Sequence, residues 1–261
     1  MTSATRRRFA EVLRESPVDL GLACLLVGCE VEPDLDLAES IAVLDALAAN
    51  ARPLVPRGCS PAAAAEGLRV ALGERAGFAG FEDDFADVRA SLLHEVLRRG
   101  RGLPILLSVV WVEVARRLDV PAYCLGLPGQ VVVGIGDPQG EHVVVDPFAG
   151  GRRSSAPPGF PPLPPCDLLL RLLTNIRVLT SRQERSLETA RTRLWATELT
   201  LLLPRHPVSL LRERGELRVR LGEHLGGAQD LETYADVVED ADPDAATSAR
   251  RAARLARARL N

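Results

Sequence analysis

Few side chains in this sequence could make or break a covalent bond, and their types and spacing limit the chemistry open to them. Cys24, Cys29, Cys59, Cys124 and Cys166 are candidate nucleophiles or metal ligands. A reactive thiol needs its anion stabilised, and a metal site needs ligands in close pairs. The five form no CxxC pair and no even framework, which is the pattern of buried, inert thiols in a reducing compartment. Cys124 falls on a predicted strand, six residues before Gln130, and Ser108 falls inside an apolar helix. A nucleophile at either would support hydrolysis or transfer at an amide or ester, and the plainer reading of each is packing. His142 and Asp146 lie four apart on one strand and share a face, but strand rise separates them by roughly 13 Å, too far for a direct dyad. His142 is expected to be exposed. His94, His206 and His224 show no ligand cluster at metal spacing and are expected as surface or capping residues. No metal and no cofactor is expected.

Asp146 opens an Asp-Pro step at a strand end, which is turn-capping chemistry, with a cleft carboxylate as the alternative. In the following FAGGRR, Gly150 and Gly151 could bring amides to an anion while Arg152 and Arg153 add charge, with a mobile turn as the alternative. FEDDFADV is expected to be a solvated acidic loop that could wall the same cleft. GIGDPQG runs from a strand into a hairpin, not into a helix, so it is turn chemistry and not a phosphate loop.

The elements that position these residues follow from periodicity and capping. Helices are predicted at 4–15, at 17–30 with Ser16 as cap and Pro17 first, and at 35–50 with Ile41, Leu44 and Leu47 on one stripe. Ser60 caps a further helix that opens at Pro61, and SLLHEVLRRG is a short one ended by Gly100. From Pro104 to about Asp119 the chain is apolar nearly all round, with Glu113 at helical spacing from Arg116 and Arg117; this predicts a central, buried helix. AYCLGL, QVVVGIG and EHVVVDPF are short β-branched segments between PG and GDPQG turns, predicting consecutive antiparallel strands. GGRRSSAPPGFPPLPPCD, with six prolines, is an extended connector, and everything after it is helical. Pro207 and Pro243 end two helices 36 positions apart, close to a tetratricopeptide period. The Arg-rich last helix is expected to present a solvated face.

The 261 residues suffice for one large domain or two small ones, and 46% hydrophobic against 26% charged residues is ordinary for a soluble globular protein. Aromatics are 4%, so Leu, Val and Ala must build the core. A net charge of -3 argues against a nucleic-acid partner. Every basic residue among the Lys-or-Arg positions is Arg, the mark of a GC-rich bacterial genome, so Arg counts are no evidence for anion binding. MTSATRRRFAEVLRES lacks the apolar stretch of a secretory signal, and no apolar run is long enough for a bilayer. A cytoplasmic protein with no membrane association is expected.

SLLHEVLRRGRGLPILLSVVWVEVARRLDVP, GLPGQVVV and VVVDPFAGG, in that order, resemble the SirB family of transglutaminase-like proteins, and LLLRLLTNIRVL with LRERGELRVRLGEHLGGAQDLETYADV is similar to its tetratricopeptide-like C-terminal part. The resemblance covers most of the chain. It implies a Cys at the start of the buried helix, a His on a following strand and an orienting Asp on the next. Aligning Arg116, Asp119, Val120 and Pro121 with the usual helix ending places these positions at Pro104, Gln130 and Asp146. Proline offers no nucleophile and glutamine no titratable proton. Pro104 follows the family's own Gly-x-Pro usage, whereas Gln130 and Ala90, in place of His and Asn, depart from it.

The resulting expectation is an α+β fold: a mostly helical, transglutaminase-like (papain-like) core with a small antiparallel sheet, followed by a helical-hairpin domain. Its parts are an N-terminal helical region over 1–80, the core over 81–155, a Pro-rich connector over 156–166 and tetratricopeptide-like helices over 167–261. The expected function is a catalytically inactive, protein- or peptide-binding or accessory module. Its vestigial cleft is bounded by Pro104, Gln130, Asp146, Gly150, Gly151 and Arg152, and its helical hairpins offer grooves for a partner. The alternatives are a cysteine- or serine-dependent hydrolase or acyl transferase with a non-standard catalytic set, and a small-ligand binder.

Overall fold

Single carboxylates and hydroxyls set the helix starts in the first third of the chain. A computed structural model describes residues 3–154, 160–183 and 186–259. It opens with α1 (Ser3–Val12), α2 (Leu20–Gly28) and α3 (Leu37–Ala51). The expected cap at Ser16 is corrected: the Ser16–Pro17 peptide is cis, and α2 begins later, where the Asp19 carboxylate accepts the Leu22 N–H at 2.9 Å. A carboxylate satisfies an orphan first-turn donor and faces the positive end of the helix dipole. Asp36 caps α3 in the same way, accepting from Ala38 and Glu39. On its predicted stripe Leu44 is buried and Ile41 and Leu47 are half-buried. Ser60 caps α4 (Pro61–Leu68) as expected, and the helix continues as a wider π-helical run, Arg69–Arg75.

The FEDDFADV stretch, residues 81–88, is largely exposed, as expected of a solvated loop, but it is more regular than a loop. It and the residues that follow form two 3-10 turns, Glu82–Ala86 and Val88–Ser91, and Asp84, inside the first of them, is fully buried. A buried carboxylate needs partners: Asp84 accepts the Phe81 N–H and the Arg101 Nε, each at 2.9 Å. α5 (Leu93–Arg99) ends at Gly100. α6 (Pro104–Arg117) follows and is buried on every side, from Ile105, Leu106 and Leu107 through Val109, Val110 and Trp111. Its one buried carboxylate, Glu113, is paired at helical spacing with Arg116 at 2.8 Å and Arg117 at 2.6 Å.

Four antiparallel strands, β1 (Ala122–Leu127), β2 (Gln130–Gly136), β3 (His142–Asp146) and β4 (Arg152–Arg153), lie in sequence order in one sheet. Leu127 pairs with Gln130, Leu125 with Val132, Val133 with Val145, and Asp146 with Arg152. The first three strands match the sequence expectation. β4 lies in the stretch expected as connector, of which residues 155–159 fall outside the described residues. α6 packs on β1, β2 and the Pro147–Ala149 turn, with α2, α3 and α5 around it.

The chain divides into two compact units, Met1–Leu172 and Leu173–Asn261, and the division falls inside α7 (Pro165–Arg182). In the second unit α8 (Leu187–Thr200), α9 (Ser209–Arg220), α10 (His224–Val238) and α11 (Pro243–Ala258) each pack on the next. Pro207 precedes α9, and Pro243 is the first residue of α11, which Asp242 caps. Ala228, Ala235, Ala246, Ala249, Ala253 and Ala256 let α10 and α11 approach closely around Leu231 and Tyr234. Among the described residues, no helix is long and apolar enough to cross a membrane.

Candidate functional site

Pro104 is the first residue of α6, the position where a missing N–H costs nothing. One turn on, the buried Ser108 hydroxyl donates to the Val131 carbonyl at 3.2 Å, so the first turns of α6 lie against the start of β2. Gln130 opens β2 and is exposed. From the register, Gln130, Val132 and Asp146 fall on one face of the sheet. Cys124 falls on the other face and is buried, in a strand on which α6 packs. Gln130 and Asp146 are therefore brought to neighbouring positions on one face, while Pro104 lies at the end of a helix packed on the opposite one.

Asp146 closes β3 and caps the next turn: its carboxylate accepts the Phe148 N–H at 2.9 Å. The Gly150 and Gly151 N–H groups donate within the same turn, to the carbonyls of Pro147 at 3.1 Å and Asp146 at 2.8 Å. Those bonds occupy the donors that an anion would need. The turn is also held from outside. A Cβ at Gly73, in the π-helical run, would come within 2.1 Å of the Gly150 carbonyl oxygen, so only glycine permits this approach. Arg152, opposite Asp146 on β4, is exposed and makes no ion pair among the described residues.

The other candidates separate cleanly. Burial, with a smaller push from Glu113, raises the Cys124 thiol to about 12, so it stays protonated and unreactive. Cys24 is raised further by the same burial. His142 is exposed, its Nδ1 3.1 Å from the Gly140 carbonyl. His94 departs from the expectation of a surface residue: it is 2% exposed. α5 turns its ring onto α2 at Gly28, where a Cβ would stand 2.3 Å from Nδ1. Burial pushes this imidazole below its ordinary value, against the pull of Glu32 and Glu95. A cavity of about 450 Å³ lies at the far end of α6, lined by Cys59, Pro61, Leu118 and Pro121, with the Arg57–Asp119 ion pair at 3.6 Å beside it.

Motif reading missed an aromatic surface next to Asp146. Phe81 and Phe85 are 53% and 54% exposed. Phe85 stacks at a tilt on Phe148, 5.5 Å between centroids, and Arg101 lies 4.5 Å over the Phe81 ring. Glu82 and Asp83, between the two exposed rings, are exposed and make no ion pair among the described residues. The available signal was compositional: the protein has six phenylalanines, and Phe78, Phe81 and Phe85 fall within eight residues.

A buried helix packed on a short antiparallel sheet, and stacked helical hairpins later in the chain, are the arrangement to which two family models are similar. Residues 38–157 match the model of the transglutaminase-like superfamily, and residues 182–261 match that of the tetratricopeptide repeat. Among curated proteins, the chain is similar to a UPF0162 protein of Xylella fastidiosa strain Temecula1, 32% identical over an alignment of 184 residues, with 62% of this chain and 64% of the relative covered. The UPF0162 protein of Xylella fastidiosa strain 9a5c matches with the same identity and coverage. A UPF0162 protein of Pseudomonas aeruginosa is 32% identical over 168 residues, 64% of this chain and 58% of the relative. The matched stretch thus spans less than two thirds of the length of each of these relatives. No solved structure matches the chain.

Proposed function

We propose that this chain is a SirB-type, non-catalytic relative of the transglutaminases that binds a protein or peptide segment in the cytoplasm. The observation that carries the reading is Pro104 as the first residue of α6. The field of a helix N-terminus activates a thiol only if a thiol stands there. Acyl transfer also needs a proton carrier, and Gln130 at the matching strand position does not titrate. Neighbouring groups do not replace them: the Ser108 hydroxyl is buried and committed to the Val131 carbonyl, and the Cys124 thiol is buried. What remains is a surface. Gln130, Asp146 and Arg152 border a turn that carries Phe148, and Phe81 and Phe85 extend it with exposed rings beside the exposed Glu82 and Asp83. That chemistry suits a short segment with an apolar anchor next to a basic side chain.

The test pairs binding with turnover on the full chain. Labelled peptides that combine a leucine or aromatic residue with arginine are expected to bind, by fluorescence anisotropy, more tightly than acidic counterparts. Phe85→Ala is expected to weaken that binding about tenfold, the scale of one interface anchor. Ester and amide substrates are expected to be left intact. Saturable hydrolysis or transfer that disappears in Gln130→Ala or Asp146→Ala would instead make the chain an enzyme and sink the reading.

A further inference from the structure

We propose that Glu32, His94 and Glu95 form a site for a divalent transition-metal ion, with Zn²⁺ and Co²⁺ as the ions that suit its ligands. Glu32 stands in the turn after α2, while His94 and Glu95 are in the first turn of α5. One ligand atom from each residue lies within 4.8 Å of the other two. His94 Nε2 is 3.6 Å from Glu32 Oε2, too long for a hydrogen bond. It is close to the ~3.4 Å that separates two ligands each about 2.1 Å from a tetrahedral ion. An imidazole with two carboxylates is a donor set for zinc or cobalt, with water in the fourth position. Both carboxylates are half-buried, so solvent reaches the site.

The second observation is the state of the imidazole. Its ring is 2% exposed and its Nε2 faces the carboxylates without bonding to them, while Nδ1 packs against Gly28 and takes no part in the site. Buried polar groups are nearly always paired. The fold makes room for this one, since Gly28 of α2 lacks the Cβ that would collide with the ring.

Arg98 now stands in for the cation. Its guanidinium donates to Glu32 at 2.8 and 3.0 Å and to Glu95 at 3.3 Å. Its side chain is 47% exposed, so it can turn into water when an ion enters. Metal and Arg98 therefore compete for the same two carboxylates, and that competition has a sign that can be measured.

The experiment is a titration of the full chain with Co²⁺, followed by its visible ligand-field absorption and reversed with Zn²⁺. Saturation at one equivalent is expected. Glu32→Gln, a partly exposed change that leaves the buried ring in place, is expected to weaken binding at least about tenfold. Arg98→Gln is expected to tighten it roughly fivefold, the ratio set by loss of an exposed ion pair. Absence of a saturable band in both the wild type and Arg98→Gln would overturn the proposal. Equal affinity in the wild type and Glu32→Gln would overturn it too, since the ion would then be held elsewhere.

Discussion

Asp19 and Ser16 stand three positions apart, and the helix between them and Gly28 needs one cap. Ser-Pro is a frequent helix opening, so the sequence pointed to Ser16. In the structure the Asp19 carboxylate accepts the Leu22 N–H instead. Asp19→Ala is therefore expected to lower stability by about 1 kcal/mol in urea unfolding, whereas Ser16→Ala should stay within about 0.5 kcal/mol. The opposite ranking would return the cap to Ser16. Residues whose partners are local were readable from sequence: Ser60 bonds Ala63, and Asp146 bonds Phe148. Residues whose partners are distant were not. Asp84 meets Arg101, and His94 meets Gly28 and Glu32, through contacts that no local pattern encodes. In the candidate site, the resemblance supplied Pro104, Gln130 and Asp146 as positions, and the structure brings only Gln130 and Asp146 to one face of the sheet. The exposed rings of Phe81 and Phe85 gather only when the 3-10 turns form.

Elements with a sustained period were readable. α6 is apolar all round and therefore central, and β1 to β3 alternate or run β-branched between turn residues. The two-residue β4 and the π-helical run after α4 have no period long enough to detect. Ion pairs between helices are also invisible to periodicity, and one has a measurable consequence. Glu213 of α9 is clasped by Arg177 of α7 and by Arg193 of α8. Burial pushes this carboxyl up, but hydrogen bonds from the two arginines outweigh it and hold it below its ordinary 4.5. A carboxyl depressed in the folded state stabilises the fold fully above its unfolded value, and that contribution is lost as pH falls through the folded value. The urea midpoint of the second unit is therefore expected to fall as pH drops below about 4.5, with a shallower fall in Glu213→Gln. Equal slopes for the two proteins would show that Glu213 titrates no differently once folded.

At the scale of the whole molecule, the division into two compact units falls inside α7, a place that no proline, glycine or change in composition marks. Each unit has its own kind of core. The first is built from Leu, Val and the fully buried Trp111 around α6, and the second relies on small alanines between α10 and α11. Alanine buries much less apolar surface than leucine or valine, so the second unit gains less from each residue it orders. The two tryptophans make this measurable, because Trp111 lies in the first unit and Trp195 in the second. In Trp195→Phe the remaining fluorescence follows the first unit, and in Trp111→Phe it follows the second. The Trp195 signal is expected to change at lower urea than the Trp111 signal, and with a smaller slope, because fewer residues expose their surface. Trp111→Phe can only destabilise the unit it does not report on, so a low midpoint from Trp195 in that variant belongs to the second unit if the units unfold separately. A Trp195 midpoint that tracks destabilising changes in α6 would show instead that α7 joins the units into one cooperative transition.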